Sequence, residues 1–79
     1  MHSHFNPRRY APVTGKFRPD QPLGEDQHHE GWNKALQDAL NNIGLPKGYY
    51  QANIQYSAII DVYNPGGVIE YEVTISPNG

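Results

Sequence analysis

The sequence predicts an α+β domain in which one amphipathic helix packs on an antiparallel β-hairpin. Apolar residues recur with a helical period between Trp32 and Ile43, and they alternate with polar residues over residues 51–62 and 68–75. A turn-forming segment, residues 64–67, separates the two alternating runs. A third strand ahead of the helix, which would give the order β-α-β-β, is an alternative within the same fold class.

The helix is predicted from the spacing i, i+3, i+4, i+7, i+8 and i+11 of its apolar side chains. These are Trp32, Ala35, Leu36, Ala39, Leu40 and Ile43. The negative charge of Glu30 is favourable at the N-terminus of the helix, and Gly44 followed by Pro46 ends the helix.

The hairpin follows from two runs of period two, in which every second residue is apolar. Residues that lie directly opposite each other in an antiparallel pair share a face. A symmetric turn about Pro65-Gly66 therefore pairs Val62 with Ile69 and Ile60 with Tyr71. The apolar faces of both strands are expected to lie beneath the helix.

Residues 1–29 are predicted to be a flexible, basic, Pro-rich tail, and residues 30–79 the folded domain. Residues 1–22 hold four basic residues and one acidic residue, whereas the remainder holds two basic and seven acidic residues. Within the tail, residues 10–18 contain one candidate strand, Val13–Phe17. Its flanking prolines restrict it to the edge of a sheet.

Composition excludes several classes of function. The absence of cysteine removes thiol catalysis, cysteine-based zinc sites and disulfides. No apolar run approaches the ~20 residues of a membrane span, and no hydrophobic leader is recognisable, so we expect a cytoplasmic protein without membrane contact. No nucleophile with an oriented base is evident, so we predict neither an enzyme nor a bound cofactor.

The predicted register sets Asp61 opposite Glu70, with Glu72 alongside. Such carboxylates are candidates for a cation site or an acid–base pair. The favoured interpretation is a solvated outer face, or one that is partly neutralised by basic residues of the tail or of a neighbouring subunit. Those basic residues are Arg8, Arg9, Lys16 and Arg18.

The histidines do not predict a metal site. His2 and His4 lie near the N-terminus, and His28 and His29 are adjacent in a polar segment. None has the spacing of a helical or zinc-finger ligand set.

The aromatic residues are candidates for a protein interface, because tryptophan and tyrosine are apt anchors at subunit contacts. Trp32, Tyr49, Tyr50 and Tyr63 are the candidates, together with the carboxylates and Arg8 and Arg9. Stacking on nucleic acid requires basic residues among the aromatic ones. The hairpin is acidic, so a nucleic-acid partner is not expected.

The order of elements resembles that of dodecin-like small bacterial proteins. Residues Gly31–Leu40, Tyr63–Gly66 and Ile69–Val73 carry the resemblance, which covers roughly residues 31–76. It implies a compact oligomer that stores flavins or related ligands on a strand tryptophan. Trp32 lies on the predicted helix instead, so the flavin site is not carried over.

The leading functional hypothesis is a non-enzymatic module that forms a homo-oligomer through its sheet edges or its polar sheet face. A folded part of about 50 residues supports only a small core, and self-association is a common remedy. One alternative is a protein-binding module that uses the basic tail. Another is storage of a small ligand in an oligomer cavity.

Overall fold

The computed structural model describes residues 10–63 and 66–78. Its elements are strand β1 (Val13–Phe17), helix α1 (His28–Asn42), strand β2 (Ala52–Asp61) and strand β3 (Gly67–Pro77), with a single 3-10 turn at Glu25–Gln27 before the helix. The three strands form one antiparallel sheet in the order β1-β3-β2. The α+β prediction is confirmed, in its three-stranded β-α-β-β form.

Strand β1 lies within the segment that the sequence assigned to the tail. It occupies the edge of the sheet, as the flanking prolines predicted, and pairs Val13 with Ile75 and Phe17 with Tyr71. Leu23 also packs against the core. Helix α1 begins at His28, two residues ahead of the expected domain boundary, so the described part of the tail contributes to the fold.

Helix α1 ends close to the predicted stop. Its last residue is Asn42, and Gly44 follows with φ of 67°, the left-handed conformation that glycine adopts without steric cost. The fully buried residues Ala35 and Ala39 lie on the predicted apolar stripe, whereas Leu40 is half exposed. The helical period therefore identified the inner face of the helix correctly.

The predicted hairpin register is wrong by two residues from Ala52 to Ile59 and by three residues beyond it, although the inner face predicted for Tyr71, Val73 and Ile75 is right. Val68, not Tyr71, lies opposite Ile60, and Tyr71 lies opposite Ala58. A β-bulge between Ile59 and Ile60 shifts the register. A bulge adds one residue on one strand only, and alternation does not reveal it.

Helix α1 covers β1 and β3 rather than the β2–β3 hairpin. The core accordingly contains Tyr71, Val73 and Ile75 from the central strand. The inward-facing residues expected from β2 are largely exposed, with Ile60 62% and Tyr56 51% accessible. The expectation that both hairpin strands lie beneath the helix is therefore wrong for most of β2.

Gly15 allows the helix to approach β1 closely. A Cβ atom at this position would collide with the backbone of Ala35 and Ala39 and would lie 2.7 Å from the Ala39 Cα. The small side chains at 35 and 39 complete the contact. Because the colliding atoms are backbone atoms, no rotamer change can make room.

We expect Gly15→Ala to destabilise the domain by about 3 kcal/mol, at the upper end of typical overpacking costs. Gly24→Ala is the matched control, because a Cβ there meets only the side chains of Asp26 and Gln27, at 3.3 Å and 3.5 Å. Urea unfolding followed by circular dichroism measures both. Equal stability of the two variants would contradict the close helix–strand contact.

Candidate functional site

The polar face of the sheet carries the carboxylates that the sequence predicted to be neighbours, Asp61, Glu70 and Glu72. Glu72 lies opposite Lys16 on one side and Ser57 on the other, and Glu70 lies opposite Ile59. Asp61 lies opposite Gly67 instead of Glu70, so the predicted Asp61–Glu70 pairing is wrong. The carboxylate of Asp61 accepts a hydrogen bond from the backbone N–H of Tyr63, at 3.0 Å.

Basic side chains of the N-terminal segment neutralise the two glutamates. The Lys16 Nζ lies 3.6 Å from Glu72 Oε2, and the Arg18 Nε lies 3.4 Å from Glu70 Oε1. Ser57 Oγ also donates to Glu72 Oε1, at 3.3 Å. The preference for a neutralised outer face is therefore confirmed for Lys16 and Arg18, whereas Arg8 and Arg9 lie outside the described residues.

The polar face holds no cluster of three metal-ligating side chains among the described residues. Within residues 10–63 and 66–78, no three His, Asp or Glu side chains converge on one point. The Nδ1 atom of His28 contacts the hydroxyl of Tyr71, while His2 and His4 lie outside these residues.

Tyr71 is the centre of an aromatic cluster between helix and sheet. Its ring is fully buried, with the Trp32 ring at 5.0 Å and the Phe17 ring at 6.4 Å between centroids. Gly31 lies above the ring so closely that a Cβ there would come within 2.5 Å of it. The hydroxyl of Tyr71 lies 2.6 Å from His28 Nδ1.

The His28–Tyr71 pair has a structural role. Burial raises the pKa of Tyr71 above its ordinary value of 10.0, because the phenolate loses hydration. A hydroxyl with no solvent access cannot reach a substrate, so the hydrogen bond satisfies a buried polar group. The alternation of apolar residues in β3 predicted Tyr71 on the core face, but the sequence holds no signal for its partner on the helix.

The candidate interface aromatics occupy different environments. Trp32 packs edge-on against both Tyr56 and Tyr71, so it links the helix to β2 and β3. Tyr50 donates a hydrogen bond to the carbonyl of Pro46, at 2.8 Å. Tyr49 is fully exposed and Tyr63 is 83% exposed.

An exposed apolar region lies on β2, most of which the helix does not cover. Ile54, Tyr56 and Ile60 belong to the helix side of the sheet and are about half exposed or more. Beside them, a groove of about 480 Å³ separates β2 from the C-terminal half of α1. Leu36, Leu40, Tyr50 and Ile54 are among its lining residues. Together these residues form the β2 apolar surface, which is the candidate functional site.

Comparison with known proteins gives no relative from which a function could be transferred. The chain matches no protein-family model, no curated protein and no solved structure. Among the described residues, no helix is long and apolar enough to cross a membrane. The function proposed for this chain therefore rests on the exposed apolar residues of β2.

The raised pKa of Tyr71 predicts a loss of stability in alkaline solution. Unfolded chains release the Tyr71 proton near pH 10, whereas the folded protein retains it to higher pH. The unfolded state then binds fewer protons, so the free energy of unfolding falls as pH rises from about 10 through the folded-state pKa.

Tyr71→Phe should show a flatter decline in the free energy of unfolding between about pH 9.5 and pH 11.5. Tyr49→Phe is the control, because Tyr49 is fully exposed and its removal should leave the decline unchanged. Urea unfolding at a series of pH values gives all three profiles. Parallel profiles for the wild type and Tyr71→Phe would contradict the burial argument.

Proposed function

We propose that this chain is a non-enzymatic self-assembly module whose β2 apolar surface is covered by another copy of the same chain. One observation carries the proposal: a ten-residue edge strand exposes Ile54, Tyr56 and Ile60 on the side of the sheet that should be buried. Large contiguous apolar patches on small proteins mark interaction surfaces.

The size of the core supports the same conclusion. Among the described residues, the buried hydrophobic core consists of Ala35, Ala39, Tyr71, Val73 and Ile75, and two of these five side chains are alanine methyl groups. Domains of fewer than about 70–80 residues commonly need a disulfide, a metal or oligomerisation to add to such a core. The chain has no cysteine, so a disulfide is excluded.

Storage of a small apolar ligand is a second candidate, favoured by the groove beside β2. Its volume of about 480 Å³ falls within the usual range of ligand pockets, and apolar side chains predominate in its lining. Ile54 lines the groove and also belongs to the exposed face of β2. Because the two regions are continuous, a covering subunit accounts for both, and self-assembly is the preferred proposal.

Light scattering behind a sizing column tests the proposal directly. The wild-type chain at micromolar concentration should give a multiple of 8.9 kDa. Ile54→Lys places a charge on the surface to be covered and should raise the dissociation constant at least tenfold, about 1.4 kcal/mol. Asn41→Lys is the control, because Asn41 is exposed and lies on the side of the helix next to β1, away from β2.

A folded wild-type monomer of 8.9 kDa would refute self-assembly. Should Ile54→Lys fail to fold, Ile60→Lys provides the same charge at a more exposed position. Absorbance recorded in the same run, beyond that of tryptophan and tyrosine, would indicate a bound chromophore and would favour ligand storage.

A further inference from the structure

The direction of the free backbone groups of β2 can be derived from one hydrogen bond. The Asn78 N–H donates to the Gln51 carbonyl at 2.8 Å, so these two residues form a hydrogen-bonded antiparallel pair. Hydrogen-bonded and non-hydrogen-bonded pairs alternate along a ladder, and the register is regular from Ala52 to Ile59. Asn53, Gln55 and Ser57 therefore direct their backbone groups toward β3.

The intervening residues direct their N–H and C=O groups away from β3, toward the free edge. These residues are Ala52, Ile54, Tyr56 and Ala58. Their side chains lie on the same face as the helix, since they face Pro77, Ile75, Val73 and Tyr71 across the ladder. Within residues 10–63 and 66–78, no hydrogen bond joins these outward backbone groups to a side chain or to a loop.

The two edges of the sheet differ in their protection. At the β1 edge, the Lys16 N–H points away from β3 and donates to Asp38 Oδ2 of the helix, at 2.9 Å. Strand β1 is also short, with five residues. Strand β2 has ten residues and carries neither a charged residue nor a proline between Ala52 and Ile60. Charged side chains and prolines are two devices that keep an edge strand from pairing with another chain, and residues 52–60 hold neither.

We propose that β2 pairs antiparallel with β2 of a second copy about a two-fold axis at Gln55, which joins two sheets into one of six strands. This inference rests on the proposed self-assembly and specifies its geometry. In this register Ala52 lies opposite Ala58 of the partner subunit, and Ile54 lies opposite Tyr56 of the partner subunit. Every outward N–H and C=O of the four residues then gains a partner.

Neighbouring registers are less favourable. A register centred on Tyr56 sets Asn53 opposite Ile59 of the partner subunit, which places a polar side chain against an apolar one. A register centred on Ile54 sets Ala58 opposite Tyr50 of the partner subunit, which precedes the strand. An odd shift places outward backbone groups against inward ones and apolar side chains against polar ones.

The side chains are also self-complementary in the proposed register. On the polar face, Gln55 meets Gln55 of the partner subunit, and Asn53 meets Ser57 of the partner subunit. Like charges directly opposite each other destabilise a strand pair, and residues 52–60 hold no charge at all. On the other face, Ile54 of each copy packs beside Tyr56 of the partner subunit, so each copy covers part of the β2 apolar surface of the other.

Cysteine cross-linking tests the register, because the natural chain contains no cysteine. At the two-fold axis, Gln55 and its symmetry mate form a non-hydrogen-bonded pair with a Cα separation of about 4.5 Å, within the range that a disulfide spans. Gln55→Cys should therefore oxidise to a covalent dimer. Ser57→Cys is the matched control, since its symmetry mate lies four residues along the strand, about 13 Å away.

Both positions are exposed, so either substitution leaves the core intact. We expect Gln55→Cys to cross-link at least tenfold faster than Ser57→Cys, measured by non-reducing electrophoresis under mild oxidation and in urea as a baseline. Equal rates, or faster cross-linking at position 57, would overturn the register. The mass of the unsubstituted chain, measured in parallel, separates the two failures: an oligomer would leave self-assembly standing, whereas a monomer would end both proposals.

Discussion

The ring of Tyr71 lies between the helix and the sheet, and the contacts of the core are arranged around it. Tyrosine is the largest of the fully buried side chains, and an aromatic side chain of this size buries about 150–250 Å². Its hydroxyl needs a hydrogen-bond partner, which His28 supplies from the first turn of α1. Both needs are met only if the helix begins directly above the central strand.

Two glycines then determine which strands the helix covers. Gly31 leaves room for the Tyr71 ring, and Gly15 lets the backbone of α1 settle on β1. A helix is about 10 Å wide and neighbouring strands are about 4.8 Å apart, so one helix covers two strands. With β1 and β3 beneath it, β2 is left uncovered, and the exposed apolar face of β2 follows from this arrangement.

Much of this fold could be predicted from the sequence, because it depends on periodicity. The helical stripe, the stop at Gly44, the alternation of β3 and the edge position of Val13–Phe17 are local signals, and the structure agrees with each. The pairing of the two strands is not local in this sense, because alternation indicates faces but not partners. From Ala52 to Ile59 the observed register differs from the predicted one by two residues, and the bulge at Ile59/Ile60 shifts it by one more, so Asp61 does not meet Glu70.

One residue in the sequence indicates where the helix lies on the sheet, although the periodicity of the apolar residues does not. A glycine inside a short strand often marks the close approach of another backbone, and Gly15 in the segment Val13–Phe17 is such a residue. Neutralisation of Glu70 and Glu72 was predictable from charge, because an acidic strand needs basic neighbours wherever it pairs. The His28–Tyr71 contact joins residues 43 apart, and neither periodicity nor charge points to it.

The two edges of the sheet differ in how well they are protected from pairing with another chain. Strand β1 is short, and the N–H of Lys16 that points away from β3 donates to Asp38. The side chains of Lys16 and of Arg18, just after the strand, pair with the glutamates of the central strand. Strand β2 is twice as long and uncharged over most of its length. Since an edge strand without charges or prolines can pair with another chain, the composition of β2 supports the proposed association through this edge. A lysine within β2, or a proline at a residue whose N–H points away from β3, would oppose such pairing without entering the core, and residues 52–60 contain neither.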